Sequence, residues 1–433
     1  MKFRFFLSLL FPLIVFAQEK QPLTIEECIQ IGMNSSKSLQ ISKLKAAAAD
    51  AKSGETNASL LPSLKLSATY SRLSAVNPFE IQIGQSRLSI SPSILNNYQA
   101  RLTLSQPIFT GNRLSGTAQL SEYNAGASQE DLNKEKSQVV FDVINAYWSY
   151  YKAIEFKRSV EENLTQIQSH LLDIVNMQKQ GMATTNDVLK VKVQLNNIEL
   201  LLIDADNAMQ LALIGLNSTL GLPLSTNIFI TSSPSVQAHD TPPAGVLVEQ
   251  AMAVRPELKG MELRLKASEE GVTIAKSSWY PQVMAGANYL YANPNQRIFP
   301  SKDQFNGTWD VGLSLSFDIW NWQTASYQTA QAEAARDQSQ TALAQAKDAV
   351  ILDVTSSYLT ALKAKHKMGK AEEGVQQAEE NYRVTNGKFK SGMAINSDLL
   401  DAESALLQAK VNSTAAVVDY LIALAKLDKA TGK

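Results

Sequence analysis

Residues 180–189 read QGMATTNDVL, and 211 residues further on residues 391–400 read SGMAINSDLL. Gly, Met, Ala, Asp and Leu stand at matching places in both. A glycine followed by Thr, Asn or Ser, then by Asp and an apolar residue, marks one helix stopping and another starting. Gly181 and Gly392 can take the left-handed conformation that ends a helix, which costs other residues steric energy. Thr184 to Asn186, and Asn396 to Ser397, offer N-cap side chains for the returning helix, and Asp187 and Asp398 fall in its positive first turn. Each stretch is therefore predicted to be the tip of an antiparallel helical hairpin.

The duplication extends well beyond the turn. At the same offset Leu104-Ser105 meets Leu315-Ser316, Asp142-Val143 meets Asp353-Val354, and Tyr147 meets Tyr358. Upstream the offset becomes 219: Leu39 meets Leu258, Pro62 meets Pro281, and Tyr70 meets Tyr289. A shared frame of this length marks a tandem repeat. The first copy is assigned to residues 18–221 and the second to 244–433, joined by a Pro- and Ser-rich linker at 222–243.

After the turn, copy one places Val188, Val191, Leu195, Ile198, Leu202, Ala205 and Met209 at steps of three and four. Copy two keeps that register with Leu399, Ala402, Leu406, Ala409, Ser413, Ala416 and Tyr420. Such a stripe is a coiled-coil signature, and the small residues of copy two favour close helix approach. Before the turn, about 65 residues in each copy lack proline, which at about 1.5 Å per residue makes a helix near 100 Å long. A lone helix of that length is unstable, so it packs along neighbours.

Four shorter segments alternate with period two, at about 63–73, 98–109, 282–292 and 309–320. The clearest is WDVGLSLSFDIW, which puts Val311, Leu313, Leu315, Phe317 and Ile319 on one face and Asp310, Gly312, Ser314, Ser316 and Asp318 on the other. About ten residues is the length a tilted strand needs to cross a bilayer. Trp279, Trp309, Trp320 and Trp322 flank the two strands of copy two, where an interfacial aromatic belt would lie. The same pattern also fits a half-buried sheet with surface tryptophans. A membrane sheet must close, and four strands fall short of the smallest barrels, which have about eight. Strands that span a membrane here must therefore be shared among several chains, giving a conduit.

The chain has 433 residues and a formal net charge of −1, so a nucleic-acid partner held by a basic surface is not expected. Lys2 and Arg4 precede an apolar run from Phe5 to Phe16, and Val15-Phe16-Ala17 resembles a cleavage site, so residues 1–17 are predicted to be a signal peptide. Cys28, the single cysteine, is expected to be a small buried apolar residue.

In this order and spacing the motifs resemble those of the TolC-like outer membrane efflux proteins. The resemblance covers nearly the whole mature chain. It rests on the tandem repeat, on LTIEECIQIGM near the N-terminus and on RPEL at 255–258. LLP and WYP before strands, and a glycine six residues before an aspartate at both tips, complete it. It implies a mainly α protein with a small β part: long coiled-coil helices in an α-barrel and four strands per chain in a 12-stranded barrel shared by a homotrimer. It further implies outer-membrane lipid around the barrel, a periplasmic extension, and partners in a periplasmic adaptor and an inner-membrane transporter, as in tripartite efflux or type I secretion. By position Asp187, Asp398 and Asp401 match acidic residues near the family's periplasmic entrance, where carboxylate rings favour cations. The family's latching arginine falls at Ala394 and its aromatic partner at Phe389, while Lys190 is the copy-one equivalent of Asp401. Gly181 with Met182, and Gly392 with Met393, match the adaptor-docking tips. Plain helix-capping acids and plain tight turns are the alternatives at these positions.

No HExxH, P-loop, GxSxG or dinucleotide-binding glycine pattern is present, so neither an enzyme nor a cofactor or metal site is expected. His170, His239 and His366 are read as solvated side chains, and Asp142 and Asp353 as water-facing. The rival to a conduit is a periplasmic coiled-coil scaffold whose sheet forms no pore.

Overall fold

The computed structural model describes residues 21–77, 79–91, 93–235 and 242–433, so the predicted signal peptide and His239 lie outside the described residues. In chain order come β1 (Gln21–Leu23), α1 (Ile25–Ser35), α2 (Lys37–Ala58) and β2 (Ser63–Arg72). A small hairpin of β3 (Phe79–Ile83) and β4 (Ser86–Ser91) precedes β5 (Asn96–Phe109), α3 (Arg113–Lys179) and α4 (Thr185–Leu220). The remaining elements are β6 (Ile228–Ile230), α5 (Ala244–Val254), α6 (Pro256–Lys276), β7 (Gln282–Asn293), β8 (Asn306–Ser316), α7 (Thr324–Lys390) and α8 (Asn396–Thr431).

The repeat frame reappears in these bounds. An offset of 219 carries α1 onto α5 and the start of β2 onto that of β7, and an offset of 211 carries α3 onto α7 and α4 onto α8. Both long helices contain 67 residues and both returning helices 36. The frame changes between the strands of each copy, where copy one inserts the β3–β4 hairpin, which period-two alternation had not signalled. No helix among the described residues is long and apolar enough to cross a membrane.

The chain divides into two compact units. One holds Ser42–Leu132 and Pro256–Asp348. Its sheet has the order β2-β5-β7-β8 with every neighbour antiparallel. The register aligns Leu66, Leu102, Tyr289 and Trp309 in one row and Leu64, Leu104, Ala287 and Val311 in the next. The opposite face carries Lys65, Thr103, Asn288 and Asp310. There Thr103 donates to Asn288 at 2.9 Å, and the Asn288 amide donates to Asp310 at 3.0 Å. The apolar face is uncovered within the chain: Leu66, Trp309, Val311 and Leu313 are each more than 70% exposed. Beta8 ends at Ser316, short of the expected 320, and the chain turns through left-handed Trp322 and Gln323 into α7. The copy-one equivalents, Gly111 and Asn112, take the same conformation.

The other unit holds the residues up to Ile41, Asn133–Arg255 and Ala349–Lys433. Thr24 and Glu27 close a capping box at the start of α1, which buries Cys28 as expected. Burial first, and then Glu27, push the Cys28 thiol up to about 11, so it stays an uncharged packing group. Part of the predicted linker is ordered, since β6 pairs in parallel with β1. Two α3 side chains fix that ribbon: Tyr147 donates to Leu23 O and accepts from the Ser232 amide, and Tyr150 donates to Ile228 O.

The strand-to-helix corner before α3 requires glycine twice over. Gly111 has φ +61, and an added Cβ would lie 2.8 Å from Ser277 O and 2.9 Å from Tyr280 Cβ. Gly84, at φ +66, faces open space. Gly84→Ala is expected to cost only the backbone penalty of about 1–2 kcal/mol, and Gly111→Ala more. Thermal unfolding of the two purified variants measures the difference; equal midpoints would show that the corner is not crowded.

Candidate functional site

Both hairpin tips close in the same way. Gly181 and Gly392 have φ +75 and +71. The Gly181 amide donates to Gln178 O at 3.0 Å and the Met182 amide to Met177 O at 2.8 Å. In copy two Gly392 donates to Phe389 O and Met393 to Lys388 O, at 3.0 and 2.8 Å. These paired bonds satisfy the last carbonyls of each long helix and require the left-handed residue that glycine supplies. The next residues, Met182 and Met393, project into solvent, 66% and 73% exposed.

The returning helices start differently. Thr184 caps α4: its hydroxyl accepts from the Asp187 amide at 3.2 Å and donates to the Asp187 carboxylate at 2.7 Å. The Thr184 amide completes the box at 3.0 Å from the same carboxylate. The hydroxyl, then the amide, and more weakly Lys190, hold the Asp187 carboxyl below its usual range. In copy two the capping expectation for Asn396 and Ser397 is corrected. The N-cap is Ile395, whose side chain caps nothing. Asn396 is buried and donates instead to Asp187 O at 3.2 Å, while Ser397 accepts from Lys190 at 3.1 Å. Both side chains are drawn across to the first hairpin. Asp398 and Asp401 are exposed, and Asp401 lines a groove of about 440 Å³ with Lys190, Leu189, Val193 and Leu400.

Phe389 is only 5% exposed. It packs with Val160, Ile167 and Ile174 of α3, Val188 and Val191 of α4 and Leu399 of α8. Its ring meets His170 edge-on, with centroids 5.2 Å apart. His170 corrects the solvated reading: Nδ1 lies 3.2 Å from the Glu403 carboxylate, and both side chains are 2% exposed. Its Nε2 has no hydrogen-bond partner among the described residues. The signal was present in α3, where Val160, Asn163, Ile167, His170 and Ile174 step by three and four. His170 thus occupies the buried stripe, and Glu403 follows Ala402 in the stripe of α8. His366 is exposed, as expected. Asp142 is half-buried and accepts from Gln138 at 2.8 Å, whereas Asp353 faces water with its side chain 40% exposed and pairs with Arg255 at 2.8 Å. Among the described residues no group of three or more His, Cys, Asp or Glu side chains is placed to hold a metal.

Two measurements test this arrangement. Thr184→Ala is expected to cost about 1 kcal/mol at neutral pH. Asp187 contributes most above the ordinary carboxylate range, near about 3.9, and its share is lost as pH falls through its lowered native value. The gap between Thr184→Ala and the parent should therefore narrow in acid melts; a constant gap would show that Asp187 plays no part. His170→Leu leaves a buried carboxylate alone and is expected to cost about 3–5 kcal/mol, whereas His170→Leu with Glu403→Leu costs less. Thermal melts in which the double variant falls below the single one would contradict the pairing.

Comparison with known proteins agrees with this geometry. The sequence profile of the outer membrane efflux protein family matches residues 29–222 and 247–433. The alkaline protease secretion protein AprF of Pseudomonas aeruginosa is 24% identical over 342 residues, 77% of this chain and 69% of AprF. The outer membrane protein TolC of Vibrio cholerae is 21% identical over 381 residues, 87% of this chain and 83% of its own. Among solved structures, the Campylobacter jejuni CmeC outer membrane channel superposes with a TM-score of 0.82 at 16% identity, covering 94% of this chain and 85% of CmeC. The chain belongs to the outer membrane efflux protein family.

Proposed function

We propose that this chain is one subunit of a homotrimeric outer-membrane channel. It receives cargo at its hairpin tips from a periplasmic adaptor and an inner-membrane transporter, as the outlet of a tripartite efflux or type I secretion system. The observation that carries the reading is the four-stranded sheet. One face is a continuous apolar surface exposed to its surroundings, the other is polar and internally hydrogen-bonded, and β2 and β8 are edges. That division suits lipid outside and water inside. In hydrocarbon an edge must pair, and four strands cannot pair with themselves around a lumen. Beta8 of one copy and β2 of the next meet antiparallel, so the sheet extends without a change of pattern; three copies give 12 strands. A scaffold that forms no pore leaves the apolar face without a covering.

At the tips, the exposed Met182 and Met393 beside turns fixed by Gly181 and Gly392 suit an adaptable apolar contact with the adaptor. Asp398 and Asp401 are solvent-facing and suit a cation-favouring ring, with Lys190 beside Asp401 offsetting part of its charge. Asp187 is engaged in its capping box, and Phe389 supplies packing where the family uses a polar latch.

Planar-bilayer recording on detergent-purified protein is expected to show unitary conductance; a scaffold gives none. Asp398→Ala with Asp401→Ala should weaken cation preference, and unchanged conductance and selectivity would remove both acids from the entrance. Gly181→Asp with Gly392→Asp, where Asp tolerates the left-handed backbone better than most residues, should abolish efflux with barrel assembly intact. Normal efflux in that variant would exclude the tips as the docking surface.

A further inference from the structure

The repeat fixes strand register as well as strand order. An offset of 219 takes β2 onto β7, and one of 211 takes β5 onto β8. Under these offsets the pair Ser63–Ser105 becomes Gln282–Ser316, and Arg72–Asn96 becomes Tyr291–Gly307. Both are pairs that β7 and β8 form. The two copies therefore pair their own strands in one register, end to end.

A second kind of seam joins one repeat to the next. Inside the chain it runs between β5 and β7, with Thr103 opposite Asn288 and Pro107 opposite Met284. Its counterpart outside the chain runs between β8 and the β2 of a second copy. Carried over by the same offsets, Ser314 meets the next copy's Thr69, Ser316 meets Ser67, Phe317 meets Leu66 and Asp318 meets Lys65. Polar residues stay beside polar ones on one face, and Phe317 stays beside Leu66 on the other. A slip of one residue would turn Phe317 to the polar side.

Two observations independent of the repeat agree with this register. Strand β8 stops at Ser316, opposite the first residue of β7, yet the apolar–polar alternation runs on through Phe317 and Asp318. Among the described residues no strand lies beside those two, and in the transferred register the next copy's β2 does. Charge is the second observation. Lys65 and Asp318 are both exposed, and neither has an ion-pair partner among the described residues. A slip of two residues either way sets Lys65 against Ser316 or Trp320. The transferred register sets it against an acid, and opposite charges on directly paired residues favour the pairing that holds them. The equivalent place inside the chain has Pro107 and Met284, so the charges belong to the seam between copies.

We propose that β8 takes the next copy's β2 in this register, lengthens through Asp318 as it does so, and is locked there by an ion pair between Asp318 and the next copy's Lys65. This rests on the shared-barrel reading above. The test uses detergent-purified full-length protein in a Cys28→Ala background with a mild oxidant. Lys65→Cys with Asp318→Cys should give covalent oligomers that a reductant dissolves. Lys65→Cys with Ser316→Cys should link several-fold more slowly, and with Ser314→Cys not at all. Faster linkage through Ser316→Cys or Ser314→Cys would overturn the register. A charge exchange tests the lock without cysteine. Lys65→Asp alone and Asp318→Lys alone should each lower the temperature at which unreduced oligomers dissociate on a gel by several degrees, and the two together should restore it. A double variant no better than the singles would overturn the ion pair. If the unmodified protein is oligomeric and conducts while these pairs fail, only this proposal falls. If it is a monomer that does not conduct, the shared-barrel reading falls and takes the proposal with it.

Discussion

The backbone hydrogen bond at a strand edge is the constraint on which the rest depends. Among the described residues, β2 and β8 each present a row of N–H and C=O groups with no strand beside it. In water such an edge is tolerable when it is short or charged. In lipid, each unpaired group costs several kcal/mol. A sheet whose apolar rows run unbroken from Leu66 to Trp309 belongs in lipid, and the same sheet there demands partners for both edges. Assembly is on this view the completion of secondary structure, and less a matter of surfaces sticking together.

Duplication meets that demand economically. Two copies of one strand–helix–turn–helix plan place equivalent elements at fixed offsets, so contacts made inside the chain foreshadow those it can make with another. Equivalence does not extend to chemistry. Thr184 caps its helix while Ile395 caps nothing, and Lys190 stands where copy two has Asp401. Buried His170 and Glu403 answer to Asn381 and Lys192 on the surface. The tips keep their backbone geometry because the left-handed glycine leaves little choice. Side chains around them are free to specialise, since each copy faces a different neighbour.

The space between the two hairpins is filled in a particular way. Ala394 cannot make a polar link, and Phe389 is drawn into a cluster built from all four helices of the two hairpins. Asn396 and Lys190 add hydrogen bonds across the hairpins, and His170 with Glu403 lies deeper. Cohesion between the two hairpins thus rests on buried packing together with a sealed polar pair, which salt screens poorly.

By itself the sequence determined the repeat, the two hairpins, their glycine-closed tips and the four strands. These follow from local steric rules and from periods of two and of three to four, which act between residues close along the chain. It also placed Cys28 correctly, because one thiol in an amphipathic stretch has little other use. Only the tertiary structure decided which polar residues of those stripes are sealed, that Asn396 reaches across to Asp187 O in place of capping its own helix, and that β6 leaves the linker to pair with β1. His170 lay in a legible stripe, yet its burial depended on Glu403, 233 residues away. Pairings of that kind are set by the packing of distant helices, and no local pattern in the chain encodes which partner a polar side chain will meet.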